Sequence, residues 1–140
     1  MQLEAYMVSS AEKTILVVDD EPDIREFFRF ALLNAGFKVA TAEDGYEALE
    51  VIRRRKPDLI SLDLVMPRKS VVVFYRDLIK NRDWSDIPVM IVTGHARDDL
   101  GRADLKELTV SGPGIYLEKP VKAKDYVAAV RQILGMDGGA

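Results

Sequence analysis

The sequence predicts an α/β protein in which helices cover both faces of a five-stranded parallel sheet. Five short apolar segments alternate with helical patterns along the chain, and this alternation is typical of parallel sheets. Residues 15–18 and 89–92 are apolar at every position, as expected for inner strands buried on both faces. The chain has 140 residues, which is the size of one compact domain.

The elements follow each other in a regular order. The predicted strands are TILVVD, FKVATA, PDLISLD, IPVMIVTG and GIYLEKP. A first helix is expected to begin near Pro22 and to end at Gly36, because proline suits a first helical turn and glycine suits a helix end. The residues predicted to form its core face are Ile24, Phe27, Phe28, Ala31 and Leu32.

The later helices are predicted from the same apolar spacing. They cover about residues 45–55, 72–81, 98–108 and 123–134. The helix over 45–55 has Ala48, Leu49 and Ile52 on its core face. Trp84 is expected to pack over the connection into the fourth strand.

Composition and charge argue against several classes of function. The net charge is −3, so the chain has no general attraction for nucleic acid or for anionic membranes. The basic run at residues 53–56 is short and fits a helix end, where cations offset the helix dipole. There is no cysteine, which excludes disulfides and thiolate chemistry. Neither a signal peptide nor a long apolar run is present, so a cytoplasmic protein is expected.

Polar residues follow four of the predicted strands at the point where each strand ends. They are Asp19 and Asp20 after the first strand, Asp63 after the third, Thr93 after the fourth and Lys119 after the fifth. Ligands of an open parallel sheet bind at the carboxyl ends of its strands. We therefore expect these side chains to converge on one edge of the sheet.

The chemistry of this set favours phosphoryl transfer. Three clustered carboxylates repel each other, and a bound divalent cation removes that conflict. Oxygen ligands favour a hard ion, Mg²⁺ or, in its place, Mn²⁺. Lys119 offers a positive charge and Thr93 a hydroxyl, both suited to phosphoryl oxygens. With Asp63 as the nucleophile, the product is an aspartyl phosphate.

Five segments in order, VVDDEPD, AEDGYEAL, LISLDLVMP, VMIVTGHA and IYLEKP, together resemble the receiver domain of two-component response regulators, such as chemotaxis regulators. The resemblance extends from about Thr14 to Leu134. It implies a flavodoxin-like, doubly wound fold with strand order 2-1-3-4-5. The chain is accordingly divided into an N-terminal extension (1–13), a receiver domain (14–135) and a C-terminal tail (136–140).

The resemblance also implies the roles of the acidic residues. Asp63 would be phosphorylated by a histidine kinase or a histidine phosphotransfer protein. Mg²⁺ would be held by Asp20, Asp63 and the backbone carbonyl of Val65, and by Asp19 through water.

Further roles follow from the same resemblance. Thr93 and Lys119 are assigned to contacts with the phosphoryl group, and Tyr116 to an aromatic switch. In the family this switch alters the face formed by the fourth helix, the fifth strand and the last helix, which an output protein binds. Val65 and His95 are expected to modulate the lifetime of the phosphate.

Several of these residues also have a purely structural explanation. Asp19 and Asp20 suit the first turn of a helix at Pro22, where acids offset the helix dipole. Tyr116 fits a half-buried packing residue with a wet hydroxyl, and His95 fits an ordinary surface histidine.

Two features depart from the family pattern. Val71 stands where the family usually has glycine, so we expect the preceding loop to take another path or to be strained. The connection from Thr93 to Lys119 is also longer than expected, with the excess in the segment TVSGPG.

The leading interpretation is a stand-alone receiver that switches the binding of an unknown output protein, as a monomer or a phosphorylation-dependent dimer, with no direct contact to nucleic acid or membrane. One alternative is a receiver-fold scaffold that works without phosphorylation. Another is a phosphatase similar to the haloacid dehalogenases. That family has its nucleophile after the first strand and an aspartate two residues later, whereas here Asp63 follows the third strand and Val65 lies at the second position after it.

Overall fold

The computed structural model describes residues 13–63, 71–94 and 116–136. Within these ranges the strands are β1 (Thr14–Val18), β2 (Lys38–Ala42), β3 (Leu59–Leu62), β4 (Val89–Thr93) and β5 (Tyr116–Glu118). All neighbouring strands pair in parallel, and they form one sheet in the order β2-β1-β3-β4-β5. The predicted fold class and strand order are confirmed.

The described helices are α1 (Pro22–Asn34), α2 (Gly45–Arg54), α3 (Val71–Lys80) and the C-terminal helix (Ala123–Ile133). Their bounds agree with the predicted ones to within one residue at most ends. The predicted helix over residues 98–108 and the segment TVSGPG lie outside the described residues. No described helix is both long and apolar enough to cross a bilayer.

Local sequence explains where these helices begin and end. α1 has proline at its first position and is followed by Gly36, whose φ of 95° is a left-handed conformation that favours glycine. α2 begins after Asp44, whose carboxylate accepts a 2.9 Å hydrogen bond from the N–H of Glu47. The Glu47 carboxylate accepts a 3.1 Å bond from the N–H of Glu43, so two donors at this helix start are satisfied.

The sheet separates two layers of buried apolar side chains. On β1, Leu16 and Val18 belong to the layer under α2 and α3. Ile15 and Val17 belong to the layer under α1 and the C-terminal helix. This division follows from the alternation of side chains along a strand. Because both sides of β1 are covered by helices, an uninterrupted apolar run is what this strand requires.

The predicted core face of α1 is wrong at one residue. Phe28, Ala31 and Leu32 are buried, but the side chain of Phe27 is 44% exposed. α1 packs on the sheet along one side only, and neighbouring helix positions point about 100° apart. Phe27 therefore lies beside the buried stripe. Phe30 and Leu33, on the side of α1 that faces away from the sheet, are also exposed. The aromatic residues of α1 are thus only partly core material.

Val71 and Trp84 also have defined surroundings. Val71 is buried as the first residue of α3, where helical φ values are negative. The expected positive-φ strain is therefore absent at Val71 itself, while the loop before it lies outside the described residues. Trp84 packs, half-buried, against the layer under α2 and α3, as predicted.

Candidate functional site

Asp19 leaves β1 at the edge where the strands end. Its N–H donates a 3.1 Å hydrogen bond to the carbonyl of Ala42, the last residue of β2. Its side chain is only 2% exposed, while Asp20 is half-buried. One Asp19 oxygen, Oδ1, accepts a 3.0 Å bond from the N–H of Glu21. Asp19 therefore shapes the turn into α1 and still presents its second oxygen to the site. The structural explanation as an acid of the first helical turn does not hold, because the acid in the first turn of α1 is Asp23.

Asp63 lies at the same edge, one strand away. Its N–H donates a 3.1 Å hydrogen bond to the carbonyl of Val18, the residue before Asp19. The Asp63 side chain is 5% exposed. Between β1 and β3 the order of strands reverses, because β2 lies on one side of β1 and β3 on the other. Such a reversal point is where ligands of open α/β sheets bind.

The side chain of Lys119 lies close to both of these aspartates. Its Nζ lies 2.8 Å from Asp19 Oδ2, 3.7 Å from Asp63 Oδ2 and 3.7 Å from Glu21 Oε1. Burial lowers the pKa of Lys119, but the hydrogen bond to Asp19 and the charges of Asp63, Asp19 and Glu21 outweigh it and raise the pKa above its ordinary value. Lys119 is therefore an ammonium ion at neutral pH.

Glu21 is an acid of this site that the sequence analysis missed. Among the described residues, Asp19, Asp20 and Glu21 form one group in which a carboxylate oxygen of each lies within 4.8 Å of those of the others. The signal was present, since Glu21 directly follows the aspartate pair. It was overlooked because an acid just before a helix is common for structural reasons alone.

The other predicted site residues are placed only in part. The backbone of Thr93 pairs in register with Glu118, so the end of β4 lies beside Lys119. For Thr93 and Tyr116 the side chains are outside the described part of the structure, and Val65 and His95 lie outside it altogether. The structure thus brings together Asp19, Asp20, Asp63 and Lys119.

The donor set fits a hard divalent cation. Its described members are carboxylates, the ligands that Mg²⁺ and Mn²⁺ prefer. The Lys119 ammonium already lies among these carboxylates as a positive charge. Asp19, Asp20 and Asp63 are the residues that would hold such an ion, which would neutralise charge during attack on a phosphoryl group.

The chain has a doubly wound parallel sheet, and buried aspartates and a lysine lie where the strand order reverses. These features define a class of α/β proteins with an acidic site at the strand ends. Within that class, the chain belongs to the response regulator receiver domain family, whose model matches residues 15–131. A receiver domain is a phosphoacceptor signalling domain, so this part of the sequence interpretation is confirmed.

Individual relatives agree with this assignment. The chain is 37% identical over 126 residues to the phosphate regulon transcriptional regulatory protein PhoB of Pseudomonas aeruginosa, covering 90% of this chain and 53% of PhoB. It is 37% identical over 122 residues to the response regulator MprA of Mycobacterium leprae, covering 86% of this chain and 50% of MprA. The chain thus spans about half the length of the curated relatives it matches.

Solved structures show the same fold over most of the chain. The chemotaxis response regulator CheY4 of Vibrio cholerae superposes with a TM-score of 0.76 at 25% identity, covering 86% of this chain and 98% of that one. The receiver domain of NtrX from Brucella abortus superposes with a TM-score of 0.75 at 29% identity, covering 88% and 99%. In both comparisons nearly the whole of the solved chain is matched.

Proposed function

We propose that the domain at residues 14–135 accepts a phosphoryl group on Asp63 in a reaction that depends on Mg²⁺, with Mn²⁺ as a substitute. The observation that carries this proposal is the position of Asp63, buried at the end of β3 with the Lys119 ammonium 3.7 Å from its carboxylate and 2.8 Å from that of Asp19. A nucleophilic carboxylate, a second acid and a cationic partner for phosphoryl oxygens are thus adjacent.

In the proposed step, an Asp63 oxygen bonds to the donor phosphorus as the bond from phosphorus to the donor's imidazole nitrogen breaks. The donor ring keeps the proton on its other nitrogen and therefore leaves as neutral imidazole. Lys119 moves from Asp19 toward the new phosphoryl oxygens, which carry more charge than a single carboxylate. Catalysis of this kind needs positioning and charge neutralisation more than covalent chemistry.

The remaining parts of the site are assigned by the family resemblance. Thr93 would donate its hydroxyl to the phosphoryl group, and Tyr116 would follow that movement as the aromatic switch. The carbonyl of Val65 would complete the cation ligands, and Val65 and His95 would tune the lifetime of the phosphate.

The proposed phosphodonor is a histidine kinase or a histidine phosphotransfer protein in the cytoplasm. α1 offers a docking surface for it, which we call the α1 apolar stripe: Phe27, Phe30 and Leu33, with side chains 44%, 56% and 43% exposed. Because α1 starts directly after Glu21, a partner on this stripe is held next to the acidic site. Burial of large apolar side chains is a typical source of docking energy.

The proposed output is a change in partner binding. The C-terminal helix begins at Ala123, with only three residues between it and Lys119, so movement of Lys119 toward a phosphoryl group would act on the start of that helix. The face beside β5 and the C-terminal helix is therefore the proposed binding surface for an output protein.

The experiment is intact mass spectrometry after incubation with a small-molecule phosphodonor, with Mg²⁺ or with a chelator. We expect one phosphoryl adduct on the native chain with Mg²⁺, none in chelator and none on Asp63→Asn. Asp58→Asn is the matched control, because Asp58 stands at the opposite end of β3, where it accepts a hydrogen bond from the N–H of Thr14. An unlabelled native chain would instead favour the phosphorylation-independent scaffold.

A further inference from the structure

A buried pair of hydroxyls lies in the layer under α1 and the C-terminal helix. The Tyr126 hydroxyl donates a 2.8 Å hydrogen bond to Ser61 Oγ, and the two residues are 0% and 2% exposed. The strand neighbours of Ser61, which are Val17 on β1 and Met90 on β4, are apolar. Because burial of a hydroxyl costs free energy unless it is hydrogen-bonded, this bond offsets the cost of placing two hydroxyls here.

The pair lies next to the acidic site on the same face of the sheet. Val17 on β1 is the register partner of Ser61 on β3, and Asp19 and Asp63 each follow two residues later. Side chains two residues apart on a strand point to the same face. Burial raises the pKa of Tyr126, and the charge of Asp19 raises it further. Tyr126 is therefore a neutral donor close enough to the carboxylates to sense their charge.

Tyr126 is held from three sides. Its backbone belongs to the C-terminal helix, and its ring stacks on Phe28 of α1 with 4.0 Å between centroids and 10° between planes. Its hydroxyl contacts Ser61 on β3. Two helices thus fix the position of the Ser61 hydroxyl. Because Ser61 and Asp63 belong to one short buried segment, this restraint extends to the end of β3.

We propose that Tyr126 and Ser61 form a positioning pair for the phosphoacceptor, in which the bond between their hydroxyls fixes the end of β3 and keeps the Asp63 carboxylate aligned for attack on the donor phosphorus. The inference rests on the proposed function, because it concerns the same carboxylate. Both residues lie outside the set implied by the family resemblance. Attack by an oriented group is sensitive to position, since a misplacement of about 1 Å costs up to about 100-fold in rate.

The test is the rate at which phosphoramidate phosphorylates the full chain in excess Mg²⁺, followed by intact mass over a range of donor concentrations. Tyr126→Phe keeps the ring that stacks on Phe28. We expect it to lower the maximal rate about three- to tenfold without changing the half-saturating donor concentration. Ser61→Ala should give the same loss. The double variant should lose no more than either single variant, because all three lack the same hydrogen bond.

Tyr75→Phe is the matched control. Tyr75 is 8% exposed on α3 and belongs to the layer on the other face of the sheet. Its replacement also removes the hydroxyl of a buried tyrosine, and we expect a rate within about twofold of the native one because the two sites are independent. Urea unfolding of each variant, followed by Trp84 fluorescence, confirms that the chains are folded in the assay.

The outcomes separate this inference from the proposed function. A native rate for Tyr126→Phe, or an equal loss for Tyr75→Phe, would overturn the positioning role while leaving Asp63 as the phosphoacceptor. Losses that multiply in the double variant would also overturn it, because the two hydroxyls would then act independently. A native chain that phosphoramidate does not label would overturn the proposed function and this inference with it.

Discussion

Lys119 is the residue on which the site depends most. It is the cation shared by Asp19, Asp63 and Glu21, and it precedes the C-terminal helix by four residues. One side chain therefore connects the acids at the ends of β1 and β3 with the start of that helix. A change in which carboxylate or phosphate it contacts has a direct structural route to the surface.

The first prediction concerns the pH dependence of stability. The pKa of Lys119 is raised above its ordinary value of 10.5. A raised pKa means that the ammonium stabilises the folded state below the ordinary value and that this contribution is lost as the pH rises through the folded value. In chelator, the native chain should have a higher free energy of unfolding than Lys119→Met. This difference should be constant between about pH 7 and 9 and should shrink above about pH 10.5.

Urea unfolding at each pH measures this difference, and Lys56→Met provides the control. Lys56 pairs with Asp86 at 3.0 Å on an exposed surface, where ion pairs contribute little. A Lys119→Met chain as stable as the native one at neutral pH would show that the ammonium does not hold the acids together.

At the scale of elements, a buried polar contact joins the C-terminal helix to β3. The hydroxyl of Tyr126 donates a 2.8 Å hydrogen bond to Ser61 Oγ, and its ring stacks on Phe28 at 4.0 Å between centroids. Burial raises the pKa of Tyr126 above its ordinary value. Because Ser61 lies two residues before Asp63, this contact anchors the helix close to the proposed phosphorylation site.

The second prediction tests that anchor by a double-mutant cycle. Tyr126→Phe and Ser61→Ala should each lower the free energy of unfolding by about 1–3 kcal/mol, because each leaves the other residue's buried hydroxyl without this partner. The double variant should lose less than the sum of the two. Strictly additive losses, measured by urea unfolding, would mean that the two hydroxyls do not stabilise each other.

The third prediction concerns the α1 apolar stripe. The donor in this test is a histidine kinase that phosphorylates the native chain. Phe30→Asp should lower the rate of phosphorylation by this kinase about tenfold, since loss of an apolar anchor costs about 1.4 kcal/mol or more of binding free energy. Labelling by a small-molecule donor should be unchanged, because that donor needs no docking surface. Ile79→Asp is the control: Ile79 is 45% exposed on α3, across the sheet from α1. Docking on α1 would be contradicted if Phe30→Asp and Ile79→Asp slowed phosphorylation by the kinase equally. It would also be contradicted if Phe30→Asp slowed labelling by the small-molecule donor as much as labelling by the kinase.

At the scale of the whole molecule, cation binding should be visible as stability. At a Mg²⁺ concentration about 100 times the dissociation constant, the native chain should gain about 2.7 kcal/mol in free energy of unfolding. Asp20→Asn should lose most of that gain. In chelator the same variant should be at least as stable as the native chain, because it relieves repulsion within the group of Asp19, Asp20 and Glu21. The cation site would be contradicted if the free energy of unfolding of the native chain were the same with Mg²⁺ and with chelator.

Much of the fold was predictable because its signals are local. The uninterrupted apolar run of β1 and the glycines after α1 and the C-terminal helix reflect burial and backbone conformation that the chain must satisfy in any case. Phe27 was misassigned because helical spacing gives the direction of the buried stripe but not its width, which depends on what packs beside it.

The site was predictable to the extent that strand ends could be recognised. Asp19, Asp63 and Lys119 are adjacent because parallel strands end at one edge, so their sequence positions sufficed. Which acid Lys119 contacts, and that Glu21 joins the group, depends on the turn between β1 and α1. Such a turn is set by hydrogen bonds like the one from the Glu21 N–H to Asp19, which no spacing in the sequence reveals.

The most direct test of the account is the position of the phosphoryl group. The native chain is treated with a phosphodonor and Mg²⁺, the acyl phosphate is reduced with borohydride, and the peptides are sequenced by mass spectrometry. We predict conversion of aspartate to homoserine at residue 63 alone. Conversion at Asp19 or Asp20, or at no aspartate of a chain that binds Mg²⁺, would contradict the assignment of Asp63 as the phosphoacceptor.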